Sequence, residues 1–284
     1  MKDEMEKIPG CAPELAGVSR LLEEIRMPEE MGEAVLRCLG RTAGPAPDGS
    51  TAEADQPVSD RKPEEEPFEG TADLSSHLLQ AVRNRESGPW KGLPEQIFLD
   101  TMGCFSRFVR EHHRSYGTWG FDRGFWTTRQ AEARLFRIGQ LEYELAEENG
   151  EKQLQLHIPS DALLETDLLN KSVGEAREFL KQWRPEWKDL PLQLESWLLS
   201  PALSGLLPPS SRILRFQKVF RLTGTDPEPE DYLEWVFKVA GGQRKTVQLS
   251  RLPEDTGLQK KMKAYVISGG KVGIGTGIFT GMFQ

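Results

Sequence analysis

Residues 134–161, RLFRIGQLEYELAEENGEKQLQLHIPSD, set the reading of the whole chain. Leu141, Tyr143 and Leu145 alternate with Glu142 and Glu144, the period of two expected of a half-buried strand. Phe136 and Ile138 alternate in the opposite phase, and the slip falls at Gly139-Gln140. A slip of one residue sends side chains to the other face, so the pattern predicts a β-bulge there. Asn149-Gly150 supplies the positive-φ turn of a hairpin. The return strand directs Leu154, Leu156 and Ile158 inward and Gln153, Gln155 and His157 the other way, and Pro159 ends it. Thr166 then caps a helix with an apolar face of Leu169, Val173, Ala176, Leu180 and Trp183. Two strands feeding a long amphipathic helix are the nucleus of an α/β domain.

On either side of this nucleus the composition changes. Upstream, apolar residues at helical spacing predict two short helices across 14–39 with a corner at Pro28, and further helices from Leu74 and from Pro94. Between them lies an acidic, Gly- and Pro-rich insertion at about 41–67, with too few large apolar residues to build a core, so disorder is expected there. A jump in aromatic and glycine content near Ser115 places a domain boundary, giving a small helical domain at 1–114 and an α/β (α+β) mixed-sheet domain at 115–284. Downstream, PLQLESWLL, RILRFQKVFRL and EWVFKV read as further strands. Ser200-Pro201 opens a short helix, Asp255 or Thr256 caps another that stops at Gly269-Gly270, and KVGIGTGIF is a closing extended strand.

The 284 residues carry 36 basic and 44 acidic side chains, a net charge of −8, which argues against nucleic acid as a partner. The three cysteines are scattered and lack zinc-ligand spacing, and the first residues resemble no signal peptide, so a cytoplasmic protein without structural metal is expected. No segment has the roughly 20 apolar residues of a membrane span.

Two side chains stand out for chemistry. His157 ends a strand of an α/β sheet, where ligands gather, and could act as a general base or simply shape the turn. Glu195 is an acid in an otherwise apolar strand with Trp197 two residues on. It is either buried and tuned for base chemistry or an exposed or Arg-paired carboxylate, with Arg215 an available partner. The tail glycines follow a helix instead of leading into one, which is wrong for a phosphate cradle. His112-His113 cannot address one ion from a single helix face. Trp119, Phe121, Phe125 and Trp126 could stack a ligand or seal a domain interface.

Four segments carry a resemblance: FDRGFWTTRQAEARLFRIGQLEYEL at 121–145, LHIPSDALL at 156–164, ESWLLSPALSGLLPPSSRILRFQKVF at 195–220 and PEDTGLQKKMKAY at 253–265. They resemble a bacterial family with an N-acyltransferase-type helical N-terminal domain and a GNAT-like C-terminal domain. The resemblance runs from about Tyr116 to Gln284 and is looser before it. It implies a GNAT-like sheet, acyl-CoA as co-substrate, and transfer of an acyl group to a small-molecule amine, with His157 or Glu195 as the base. It also implies acyl-CoA contacts at Ile158, Ser160, Asp161 and Ala162, where the strand gives way to the next helix. The sequence differs from the usual GNAT pattern here, since SDALLETDL has no glycine and SPALSGLL no tyrosine. Those departures leave a second reading, a non-catalytic ligand-binding or interaction protein on the same scaffold.

Overall fold

The computed structural model describes residues 12–42, 67–239 and 241–283. The insertion expected to be disordered lies almost wholly outside the described residues. The chain forms two compact units. One comprises residues 1–92 and 102–132, the other 93–101 and 133–284. The division therefore falls at Glu132–Ala133, where the sequence reading placed it near Ser115.

The first unit is helical, with α1 (Ala12–Glu24), α2 (Glu29–Thr42), α3 (Thr71–Ser87), most of α4 (Glu95–Tyr116) and α5 (Gly124–Ala131). The corner expected at Pro28 separates α1 from α2. Val18, Leu21, Met31, Val35, Leu74 and Leu78 recur at helical spacing and are fully buried. Gly17 lets α1 approach α3, because a β-carbon there would lie 2.7 Å from a methyl of Val82. Arg83 on α3 grips Glu14 on α1 through two 2.8 Å hydrogen bonds. That grip holds the Glu14 carboxyl below its ordinary range.

The second unit contains β1 (Leu135–Ile138), β2 (Leu141–Glu148), β3 (Glu151–His157), α6 (Thr166–Trp183), β4 (Leu192–Ser196), α7 (Leu203–Leu206), α8 (Arg212–Gln217), β5 (Phe220–Asp226), α9 (Asp231–Phe237), α10 (Gly257–Ile267) and β6 (Ile274–Phe279). Its six strands run in the order β1-β2-β3-β4-β6-β5. The pairings are antiparallel except that of β3 with β4, so the sheet is mixed, as expected.

The slip at Gly139-Gln140 is not a bulge. Ile138 pairs with Leu141 and Phe136 with Tyr143, so the chain reverses there in a two-residue hairpin. Reversal explains the change of phase, because residues paired across a hairpin share a face and Phe136, Ile138, Leu141 and Tyr143 all belong to the apolar one. Gly139 takes φ +62° to make the turn. The second hairpin is as expected, with Asn149 at φ 52°, Gly150 at φ 81° and Glu148 paired with Glu151. α6 lies on the apolar face. Phe179 meets Phe136 with ring centres 4.9 Å apart, and the buried Ser172 hydroxyl bonds Tyr143 Oη at 2.9 Å, Leu141 N at 3.3 Å and the Ile138 carbonyl. Glu165, not Thr166, occupies the cap position of α6.

Three expected strands change character. PLQLESWLL is strand only to Ser196, whose hydroxyl accepts from Leu198 N and turns residues 197–199 into a 3-10 turn. In RILRFQKVFRL, Ser211 caps α8 by accepting from Ile213 N at 3.2 Å, and β5 begins only at Phe220. EWVFKV belongs to α9, where Leu233 and Phe237, four residues apart, enter one apolar cluster with Leu203, Leu252, Met262 and Val266. Thr256 and Gln259 form a capping box that starts α10. The glycine-rich tail is β6, an inner strand between β4 and β5. Its glycines admit the 3-10 turn, since a β-carbon at Gly275 would lie 2.4 Å from the Leu199 carbonyl oxygen.

Candidate active site

The site lies within the second unit, where β3 and β4 part. These parallel strands pair at Leu154↔Leu192 and Gln155↔Gln193, and the register goes no further among the described residues. Beyond it, β3 continues through Leu156 and His157, while β4 continues through Leu194 and Glu195 held by β6 on its other side. The strand edges facing each other across this split carry backbone amides and carbonyls directed along the sheet.

Side chains at paired positions share a face, and alternate residues along a strand return to it. Arg137 pairs with Glu142 and Glu142 with His157, so these three form a row across β1, β2 and β3. Glu144, Gln155 and Gln193 form the next row. His157 and Glu195 each stand two residues beyond the last paired position, level with one another on the same face at opposite edges of the split. The two candidate bases therefore belong to one face of the sheet, on the two strands that part.

Their surroundings differ. His157 Nε2 lies 2.8 Å from Glu144 Oε2, with the histidine side chain 23% and the glutamate side chain 10% exposed. Glu142 is likewise buried. The expectation that Glu142 and Glu144 face solvent fails, because this strand is covered on both faces. Glu195 is exposed and accepts a hydrogen bond from Thr276 Oγ1 at 3.2 Å, so of the alternatives above it is the exposed carboxylate and not the buried acid.

The turn after β3 is closed on itself. Ala162 N donates to the Pro159 carbonyl at 3.0 Å, and Leu163 N donates to Gln140 Oε1 at 2.7 Å. Asp161 is held by Arg137 Nη1 at 2.7 Å. Ile158 sits at the edge of the split and Ser160, Asp161 and Ala162 form this turn, while α6 begins later, at Thr166.

Glu144 and Arg137 escaped the sequence reading, although a signal for Glu144 existed. Once Asn149-Gly150 is taken as a two-residue turn, counting back pairs Glu142 with His157 and leaves Glu144 on the adjacent diagonal. The paired histidines do not converge: His112 donates through Nδ1 to the Thr118 carbonyl at 3.0 Å, and His113 stacks on Trp119. Among the described residues no cluster of three or more His, Cys, Asp or Glu is placed to hold a metal. Of the aromatic stretch, Phe121 is buried beside Phe105, whereas Phe125 is 70% exposed.

Residues 135–279 match the GNAT-like C-terminal domain, and residues 13–133 match the N-acyltransferase N-terminal domain. The chain belongs to this two-domain N-acyltransferase family. The fold of this N-acyltransferase family member is also that of solved structures. An acyltransferase in complex with decanoyl-CoA and teicoplanin superposes with a TM-score of 0.73 at 24% identity, over 93% of this chain and 87% of that one. An acyltransferase in complex with CoA and 10C-teicoplanin gives 0.73 at 23% identity, over 93% and 87%. One in complex with decanoyl-CoA alone gives 0.72 at 24%, over 92% and 86%. No curated protein matches the chain.

Proposed function

We propose that the protein is an N-acyltransferase that moves an acyl group from acyl-CoA to the amine of a small molecule. The observation that carries this reading is the split between β3 and β4, with His157 and Glu195 level on one face where the strands separate. The pantetheine arm of acyl-CoA is extended and carries two amides. It fits a gap whose edges present strand amides and carbonyls, and Ile158 is the edge residue nearest its reactive end. Ser160, Asp161 and Ala162 form the turn beneath the polar part of the donor. That turn has no glycine to bring its backbone close to a diphosphate, and Arg137, drawn to the spot by Asp161, supplies a cation instead. The acyltransferase of similar fold that holds decanoyl-CoA and teicoplanin supports a donor and acceptor of these kinds.

With Nε2–H donated to the Glu144 carboxylate, the lone pair of the neutral imidazole is on Nδ1. His157 then takes the proton from the attacking amine while Glu144 orients the ring and stabilises the imidazolium. The carbon–nitrogen bond forms, the thioester carbon–sulfur bond breaks, and the proton returns from His157 to the departing CoA thiolate. A strand-edge amide polarises the thioester carbonyl. Glu195 faces the same space and draws in the amine as its ammonium, which gives up one proton to solvent before the neutral amine attacks. No described helix is long and apolar enough to cross a membrane, and Cys38 and Cys104 are free thiols, so we place the reaction in the cytoplasm.

Melting the protein with octanoyl-CoA tests the reading. At a hundredfold excess over its dissociation constant, a ligand of the native state adds about 2.7 kcal/mol of stability. The melting temperature should rise by several degrees, and a melting curve unmoved by every acyl-CoA would favour the non-catalytic interaction protein.

A further inference from the structure

The sheet face that carries His157 and Glu195 is covered unevenly. Over β2 it is closed, with Glu142 and Glu144 buried. Over β4, β6 and β5 it is open. Glu195 pairs with Thr276 and Thr276 with Gly224, so these three form a row running outward from the split. Gln193, Ile278 and Arg221 form the next row on the same face. A bulge between Leu222 and Gly224 adds one residue to β5, which sets glycine instead of Thr223 opposite Thr276. Glu195, Gly224 and Arg221 are exposed, while Gln193, Thr276 and Ile278 are half-buried.

The two rows make a floor with opposite charges at opposite corners. Glu195 stands at the corner beside the split, Arg221 at the far one, and Thr276 and Ile278 lie between. With strands about 4.8 Å apart and residues about 3.3 Å apart along them, the two charged residues are about 12 Å apart at the backbone. Thr276 Oγ1 bonds Oε2 of Glu195 and leaves Oε1 for a ligand. Arg221 is the only cation in these three strands and makes no ion pair among the described residues. Gly224, between them on the outer strand, puts no side chain in the way.

We propose that this open half-face seats the acceptor and that the acceptor is an amine carrying a carboxylate several bonds from its nitrogen, with Glu195 receiving the ammonium and Arg221 the carboxylate. The inference rests on the acyltransferase reading above, which puts the thioester in the split beside Glu195. A guanidinium meets a carboxylate through two parallel hydrogen bonds, which fixes the far end of the acceptor as well as attracting it. The stem between the two charges crosses Ile278, so an apolar stem suits the floor. The separation of the corners favours an acceptor longer than an α-amino acid.

Release of free thiol from octanoyl-CoA by the full chain tests this, with 6-aminohexanoate and glycyl-leucine as acceptors beside the amide of each. The native protein should use each acid with about tenfold higher kcat/KM than its amide, the difference lying in KM. Arg221→Ala should bring acid and amide together, Arg221→Lys should keep part of the gap, and Arg221→Glu should turn the preference toward 1,6-diaminohexane. Gly224→Leu tests the seat separately. Its β-carbon would stand 3.9 Å from Thr276 Cβ, an ordinary contact, and the added bulk should raise KM for every acceptor while octanoyl-CoA binds as before. Acids and amides used equally by the native protein, or a gap that persists in Arg221→Ala, overturn the inference and leave the acyltransferase reading standing. Thiol release that no amine raises above the rate in its absence overturns both.

Discussion

His157 gains its meaning from one contact. A histidine at a strand end is a common feature, but one whose Nε2 is 2.8 Å from a buried carboxylate has a fixed ring and a defined tautomer. His157→Ala should lower turnover of octanoyl-CoA by about 10²–10⁴-fold, the usual effect of removing a positioned base, with CoA affinity nearly unchanged. Glu144→Gln should lower kcat by less, also without change in donor affinity. Equal loss of affinity and turnover in both variants would make the pair structural. A second histidine makes a pH prediction. His77 bonds Thr127 Oγ1 at 2.8 Å, and burial pulls its pKa below the usual 6.5, against smaller opposing effects of Asp73 and Glu132. Below about pH 6.5 the unfolded chain takes up a proton that the folded one resists, so stability falls as pH drops through that value toward the lowered folded pKa. Denaturant melts from pH 7.5 to 5 should show this slope, and His77→Gln should flatten it. An unchanged slope would remove His77 from the account.

Among the elements, the β1–β2 hairpin was half legible. The phase change was visible in Phe136, Ile138, Leu141 and Tyr143, but a bulge and a two-residue reversal both flip the phase, and only the pairing of Ile138 with Leu141 separates them. The fold class and the register of β2 with β3 were legible because Asn149-Gly150 leaves little choice of turn. α8 and α9 were not, since runs of six or seven residues are too short for periodicity to distinguish helix from strand, and the Ser211 cap was the overlooked clue. The burial of Glu142 and Glu144 could not be read from their strand, whose alternation says nothing of what covers its polar face. The hairpin yields a direct check. Gly139 has φ +62°, and a β-carbon there would lie 3.1 Å from Ser172 Cβ. Gly139→Val should cost about 1–3 kcal/mol, through left-handed strain in a β-branched residue together with crowding of Ser172, measured by urea unfolding. A cost within 0.5 kcal/mol would mean that the turn relaxes freely.

For the molecule as a whole, the account comes down to a sheet that fails to close. β2 and β3 pair at seven positions and β4 and β6 at four, yet β3 and β4, between them, pair at two. Because β4 keeps its partner β6 and β3 keeps β2, both edges of the gap are held rigid from behind, which suits a binding cleft more than a frayed end. The family assignment agrees with that architecture. The most direct measurement is amide hydrogen exchange across β3 and β4 with and without saturating octanoyl-CoA. The account predicts that protection rises on both edges of the split, at 156–158 and at 194–196, and little in the first unit. Protection confined to other parts of the chain, or none on either edge while the ligand is bound, would contradict it.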